Sequence, residues 1–151
     1  MRAKLEGDVS PSSIQDVSYR CPECGFTLWN PIARFSTSTL GLYDDERFPG
    51  RCLLVLDTHF EDFALLDREV TMMFMEDSKK AARILQRVTG ASRVNYAILG
   101  NAEPHIHIHL IPRVAGDPIP DKSPWSHPEP ATPMTPQVKE QLIAKIAAHA
   151  E

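Results

Sequence analysis

The segment PHIHIHLIPR, Pro104 to Arg113, alternates histidine with an aliphatic residue from His105 to Leu110. A period of two belongs to an extended strand, in which successive side chains leave on opposite faces. His105, His107 and His109 therefore share one face, and Ile106, Ile108 and Leu110 share the other. The aliphatic face has to pack on a core. A lone histidine is most often a satisfied structural residue, but three in strict alternation on one face point to function.

The neighbouring segments supply that core. SRVNYAIL reads as a strand, GNAEP as a tight connection, and HIHIHLIPR as the antiparallel partner. Upstream, TLWNPIARFSTSTLGLYDDERFPGRCLLVLD reads as two or three strands broken near Asn30-Pro31 and at DDERFPG, with TLGLY and CLLVL flanking that turn as a hairpin. DTHFEDFALLD reads as a strand end running into a short helical turn. A long helix follows from about Asp67 to Val88, with Val70, Met73, Phe74, Ala81, Ile84, Leu85 and Val88 on one stripe. Asp67 suits its amino-terminal cap and Gly90 its end. Met72, Met73 and Met75 read as core or interface filler. A last helix is expected after Thr135 as cap and Pro136 as first helical residue, with Val138, Leu142, Ile143 and Ile146 on its buried side.

The pattern predicts one α+β domain with an antiparallel sheet of about five strands, a long helix packed on a face and a carboxy-terminal helix. Its expected parts are a flexible arm over residues 1–18, a core over 19–113, a proline-rich extended segment over 114–134 and the final helix over 135–151. The 151 residues and net charge of −4 suit a single domain and argue against a broad nucleic-acid surface, which needs clustered Lys and Arg. No apolar run reaches the roughly 20 residues that span a bilayer, and the amino end lacks the apolar core of a signal peptide. A cytoplasmic enzyme or binding protein is the class expected.

In CPECGF, Cys21 and Cys24 are spaced as in a metal knuckle, where a turn brings both sulfurs to one ion and the glycine relaxes the backbone. A redox pair would need the strand-to-helix setting of a thioredoxin-like motif, which is missing here. A tetrahedral site needs two more ligands, and histidines are the candidates because Cys52 lies in an apolar strand. His59, after a strand, is well placed, whereas His127 and His149 read as bystanders. The alternating histidines admit two mechanisms. They could share a catalytic metal, as in a metallohydrolase, or one imidazole could itself attack phosphorus while its neighbours position the phosphate and leaving group.

The run HIHIHLI resembles the histidine, apolar, histidine, apolar, histidine, apolar, apolar pattern of the histidine triad superfamily. RFPGRCLLVLDTHFEDF and VNYAILGNAEPHIHIHLIPR are similar to the flanking segments of its members, and CPECG to the zinc half-site of the zinc-bearing branch. The resemblance implies a histidine-triad fold and a nucleotide hydrolase or transferase of the diadenosine polyphosphate hydrolase kind. His107 would be the nucleophile on the α-phosphorus of an adenosine nucleotide, either a phosphoramidate or a dinucleoside polyphosphate, and His109 would assist the leaving group. The resemblance also implies a structural zinc on Cys21, Cys24, His59 and His105, and a homodimer. Asn101 and Asn95 become candidate phosphate donors, and Asp44 or Asp45 candidate ribose ligands. Where many members carry a further histidine after the hairpin turn, this chain has Arg51, a candidate for a second phosphate. Where many carry a longer polar glycine-rich loop, it has GNAEP.

Overall fold

The computed structural model describes residues 17–151, so the expected arm over 1–18 lies almost wholly outside the described residues. Its sheet comprises β1 (Pro31–Arg34), β2 (Ser38–Leu42), β3 (Cys52–Leu56), β4 (Arg93–Ala97) and β5 (His107–Arg113). Their spatial order is β1-β2-β3-β5-β4, with every neighbouring pair antiparallel. The helices α1 (Arg68–Thr89) and α2 (Pro136–Ala150) complete the α+β arrangement predicted from the pattern.

Alternation sorts the inner strands into two layers. Leu40 and Leu42 of β2, Cys52, Leu54 and Leu56 of β3, and Ile108 and Leu110 of β5 share one buried cluster with Phe74, Ala81, Ile84 and Leu85 of α1. Each buried leucine, isoleucine or phenylalanine among them contributes about 1.5–3 kcal/mol by leaving water. Leu53 and Val55 point the other way and join a second cluster with Tyr19, Cys21, Phe26 and Leu28. Gly41 makes that second layer possible, since a Cβ there would lie 2.7 Å from the Leu28 side chain. The sheet thus carries helices on one face and the cysteine-bearing segment on the other.

Local signals set the helix ends as expected. The Asp67 side chain accepts from the Val70 N–H at 2.9 Å, and Gly90 closes α1 at φ 73°. Thr135 accepts from the Val138 N–H at 3.3 Å, ahead of Pro136 at the start of α2. Two apolar expectations shift. Val138 is exposed because only the later turns of α2, with Leu142, Ile143 and Ile146, reach the cluster. Met73 is also exposed, because Asp77 and Ser78 take the middle of the buried stripe and leave Met73 at its margin.

Asp77 explains that choice. Its carboxylate accepts from Ser36 Oγ at 2.7 Å, Thr37 N at 2.9 Å, Thr37 Oγ1 at 3.0 Å and Ser38 Oγ at 2.7 Å. One buried side chain on α1 therefore gathers three successive residues of the β1–β2 turn. The ladder of β5 begins at His107, opposite Val55, and not at His105. Just before it the Ile106 N–H donates to the Phe60 carbonyl at 2.9 Å, which draws the chain toward the residues after β3. The Ile106 carbonyl still accepts from the Leu56 N–H at 3.1 Å, and His105 directly precedes this divided pairing.

Candidate functional site

The knuckle is closed by backbone bonds. The Cys21 N–H donates to the Phe26 carbonyl and the Gly25 N–H to the Cys21 carbonyl, both at 2.9 Å, with Gly25 at φ 77°, a left-handed conformation that favours glycine. The departure of β5 places His105 against this loop, and the turn after β3 adds His59. Ligand atoms of Cys21, Cys24, His59 and His105 all lie within 4.8 Å of one another. Cys21 Sγ is 3.5 Å from His59 Nδ1, Cys24 Sγ is 3.4 Å from His105 Nδ1, and the two Nδ1 atoms are 3.3 Å apart.

A tetrahedral zinc with ordinary bond lengths would set sulfur–nitrogen edges of about 3.6 Å and nitrogen–nitrogen edges of about 3.3 Å, so the four residues fit such an ion. His105 Nε2–H donates to the Leu56 carbonyl at 2.7 Å, beside the Tyr19 hydroxyl at 3.1 Å, which leaves Nδ1 as the ligating nitrogen. Burial opposes ionisation of Cys21, yet the amides of Cys24 and Glu23 aimed at its sulfur prevail, with help from the Cys24 and His59 side chains, and bring its thiol down to about 6. A sulfur that ionises this readily is a ready metal ligand.

On the same face of the sheet lies a cleft of about 640 Å³, lined by Trp29, Tyr43, Asn101, His107, His109 and Trp125 among others. His107 Nδ1 lies 2.7 Å from the His105 carbonyl oxygen. A carbonyl only accepts, so Nδ1 carries the hydrogen and the neutral ring has its lone pair on Nε2. Phe26 lies against the rings of His105 and His107, with centroids 5.4 Å away in both cases. It is a packing link between metal cluster and cleft that the sequence reading missed, although it closes the CPECGF run.

His109 has the opposite arrangement. Its Nδ1 accepts from Arg51 Nη2 at 3.1 Å. Burial above all, then the Arg51 charge and His107, push its imidazole down to about 3, so the ring is neutral at ordinary pH. Tyr43 and Trp125 enclose it at centroid distances of 5.9 Å and 5.2 Å.

The remaining predicted residues are placed unequally. Asn101 lines the cleft. Arg51, only 4% exposed, does not line it: the guanidinium lies 3.9 Å over the Tyr43 ring and Nη1 donates to Asp45 at 2.9 Å. Asp45 is fully buried and also accepts from Arg47 Nε and Nη2 at 2.9 and 2.8 Å. Burial raises its pKa, but these bonds hold its carboxyl below the usual range. Asp44 accepts from the Met134 N–H at 2.8 Å and pairs with Lys139 at 3.6 Å, so it ties the hairpin to the chain around α2. Asn95 accepts from Arg113 Nη1 at 2.7 Å and lines a different cleft, of about 740 Å³, which contains no histidine.

Comparison with known proteins bears on this arrangement. A family model described as HIT domain matches residues 32–116. A histidine triad protein from Sinorhizobium meliloti is similar in structure at TM-score 0.72 and 26% identity, over 80% of this chain and 88% of that one. A histidine triad protein from Bradyrhizobium japonicum gives 0.73 at 22% identity, over 80% and 90%. A zinc-bound histidine triad family protein from Mycobacterium smegmatis gives 0.57 at 21% identity, over 78% and 84%. No curated protein matches the chain.

Proposed function

The chain belongs to the HIT domain family, and on that premise we propose that it is a nucleotide hydrolase or nucleotidyltransferase acting at the α-phosphate of adenosine nucleotides through a nucleotidyl-His107 intermediate. The observation that carries this reading is the 2.7 Å bond from His107 Nδ1 to the His105 carbonyl, which commits the ring's lone pair to Nε2. Nε2 attacks phosphorus, the bond to the leaving group breaks with its electron pair, and water later cleaves the nitrogen–phosphorus bond. His109 Nε2–H, the Asn101 side chain and backbone amides are the donors for the phosphate oxygens. Trp29, Tyr43 and Trp125 supply the apolar walls on which a base would rest.

Zinc, when bound by Cys21, Cys24, His59 and His105, supplies a structural crosslink. Through His105 those residues brace the carbonyl that orients His107. The rival reading, one catalytic metal on His105, His107 and His109, loses support because both nitrogens of His105 are engaged elsewhere, Nδ1 at the cysteines and Nε2 on the Leu56 carbonyl, and the lone pair of His109 Nδ1 is taken by Arg51. A homodimer belongs to the proposal through the family resemblance, and the exposed Tyr96 on edge strand β4, with Ile98 and Leu99 after it, offers apolar surface for it. The deciding experiment incubates the protein with a radiolabelled adenosine phosphoramidate or diadenosine polyphosphate and quenches in alkali. Label retained on His107 is expected. Turnover without such an adduct would sink the covalent mechanism, and no turnover at all would leave a non-catalytic nucleotide-binding protein.

A further inference from the structure

Arg51 comes from the hairpin turn, and its guanidinium meets His109 from a neighbouring cleft of about 410 Å³, which shares Tyr43 and Trp125 with the histidine cleft but contains neither His107 nor His109. A guanidinium has five donors and no acceptor and does not lose its proton in proteins. His109 Nδ1 must therefore remain a lone pair for as long as the 3.1 Å contact exists. The single ring hydrogen then sits on Nε2, on the side away from Arg51.

The support behind this contact is built and buried. Asp45, fully buried, grips Arg51 through Nη1 and Arg47 through two nitrogens, so two guanidiniums share one carboxylate. Tyr43 lies against the Arg51 plane at 3.9 Å, and Trp125 at 5.2 Å. The groups facing His109 are thus Arg51 and Tyr43 from the hairpin, His107 from its own strand and Trp125 from the later turn. No carboxylate is hydrogen-bonded to it among the described residues. Its surroundings carry net positive charge, which opposes a second proton on the ring and favours an anion in front of it.

We propose that Arg51 is a positioning residue that holds His109 as a neutral hydrogen-bond donor, and that the site is consequently built for leaving groups that depart as phosphate anions, not for amines. The inference rests on the nucleotidyl-His107 reading. For an anhydride the balance closes without an acid: His107 Nε2 forms the bond to phosphorus, the phosphorus–oxygen bond breaks, and its electron pair leaves on a phosphate oxygen already stable as an anion. Water then attacks, the pair of the nitrogen–phosphorus bond returns to Nε2, and the water's proton passes to solvent. An amine leaving group must gain a proton as its bond to phosphorus breaks, and a ring with one hydrogen and a blocked Nδ1 is a poor source. General acid catalysis typically contributes roughly 10²–10⁴-fold, and that is the handicap expected for amines. Nucleotide anhydrides, such as dinucleoside polyphosphates, are the substrate class.

The test compares, on the zinc-loaded full chain, kcat/KM for a diadenosine polyphosphate and for an adenylate joined to a primary alkylamine. Nitrogen-15 NMR of the histidine side chains in the same sample reads the His109 tautomer. Expected are a preference for the anhydride of at least about 100-fold, a His109 ring with hydrogen on Nε2 only, and a narrowing of the preference by tenfold or more in Arg51→Met. Equal rates on the two substrates, or a His109 hydrogen on Nδ1 at neutral pH, would overturn the proposal. Loss of turnover on both substrates with no label on His107 would overturn the underlying reading and the substrate class with it. The NMR measurement on the unsubstituted chain decides the role of Arg51 even if Arg51→Met fails to fold.

Discussion

Replacing Asp77 tests the claim that one buried carboxylate holds the β1–β2 turn to α1. Four bonds of 2.7–3.0 Å end on it, and the residue is 6% exposed. Asp77→Ala leaves the fully buried Ser38 hydroxyl without its acceptor and sends the exposed Ser36 and half-buried Thr37 donors to water, and losing charged hydrogen bonds of this kind typically costs about 2–4 kcal/mol in all. Asp77→Asn should cost less. Its amide oxygen can occupy the position that accepts three donors, and its NH2 can donate to Ser36 Oγ, whose hydroxyl rotates to accept. Only the charge assistance is then lost, about 1–3 kcal/mol, since charged hydrogen bonds are roughly twice as strong as neutral ones. Urea unfolding followed by circular dichroism, at fixed zinc concentration and pH 7, gives both values.

The same residue fixes a pH signature. Burial alone would raise the Asp77 pKa, but the bonds from Ser36, Thr37 and Ser38 outweigh it and depress the folded value. A depressed carboxylate stabilises fully above its unfolded pKa, about 3.9, and loses that contribution as pH falls through the lower folded value. The gap between the native chain and Asp77→Asn should therefore be constant at neutral pH and close only below about pH 4. A cost under about 1 kcal/mol for Asp77→Ala, or an Asn variant no better than the Ala variant, would refute the reasoning.

Three further outcomes are expected. Cys24→Ala or His105→Ala should lower zinc content well below one ion per chain, measured by atomic absorption after dialysis, whereas Cys52→Ala should leave it unchanged because Cys52 lies in the helix-side core. His107→Asn should reduce turnover of an adenosine nucleotide by at least about 10⁴-fold while zinc content persists, as removal of a nucleophile does in other covalent enzymes. Gly41→Val should destabilise the chain by about 1–3 kcal/mol in thermal melts, because its side chain would occupy the space of Leu28, 2.7 Å from the Cβ position.

Much of this molecule is legible as sequence because its signals are local. Alternation in HIHIHLI, the spacing of Cys21 and Cys24, the caps Asp67 and Thr135 and the terminator Gly90 each act within a few residues; the caps and the terminator are found where the pattern predicts them, while the strand of the alternating run starts two residues later, at His107. Family resemblance extends that reach to His59 and His105, which meet the cysteines in space. What the chain could not disclose is direction. His105, His107 and His109 are equivalent in the pattern, but the departure of β5 at Ile106 turns His105 to the cysteines, a backbone carbonyl orients His107, and Arg51 orients His109. Arg51 and His109 are 58 residues apart, and Asp77 stands about 40 from the hydroxyls it gathers, so no local period encodes either contact. For the same reason Asn95, promising as a phosphate donor in sequence, belongs to Arg113 in space. Periodicity determines which face a residue takes; only strand register and packing across layers decide which nitrogen of a ring holds the hydrogen, and the chemistry of the site turns on that.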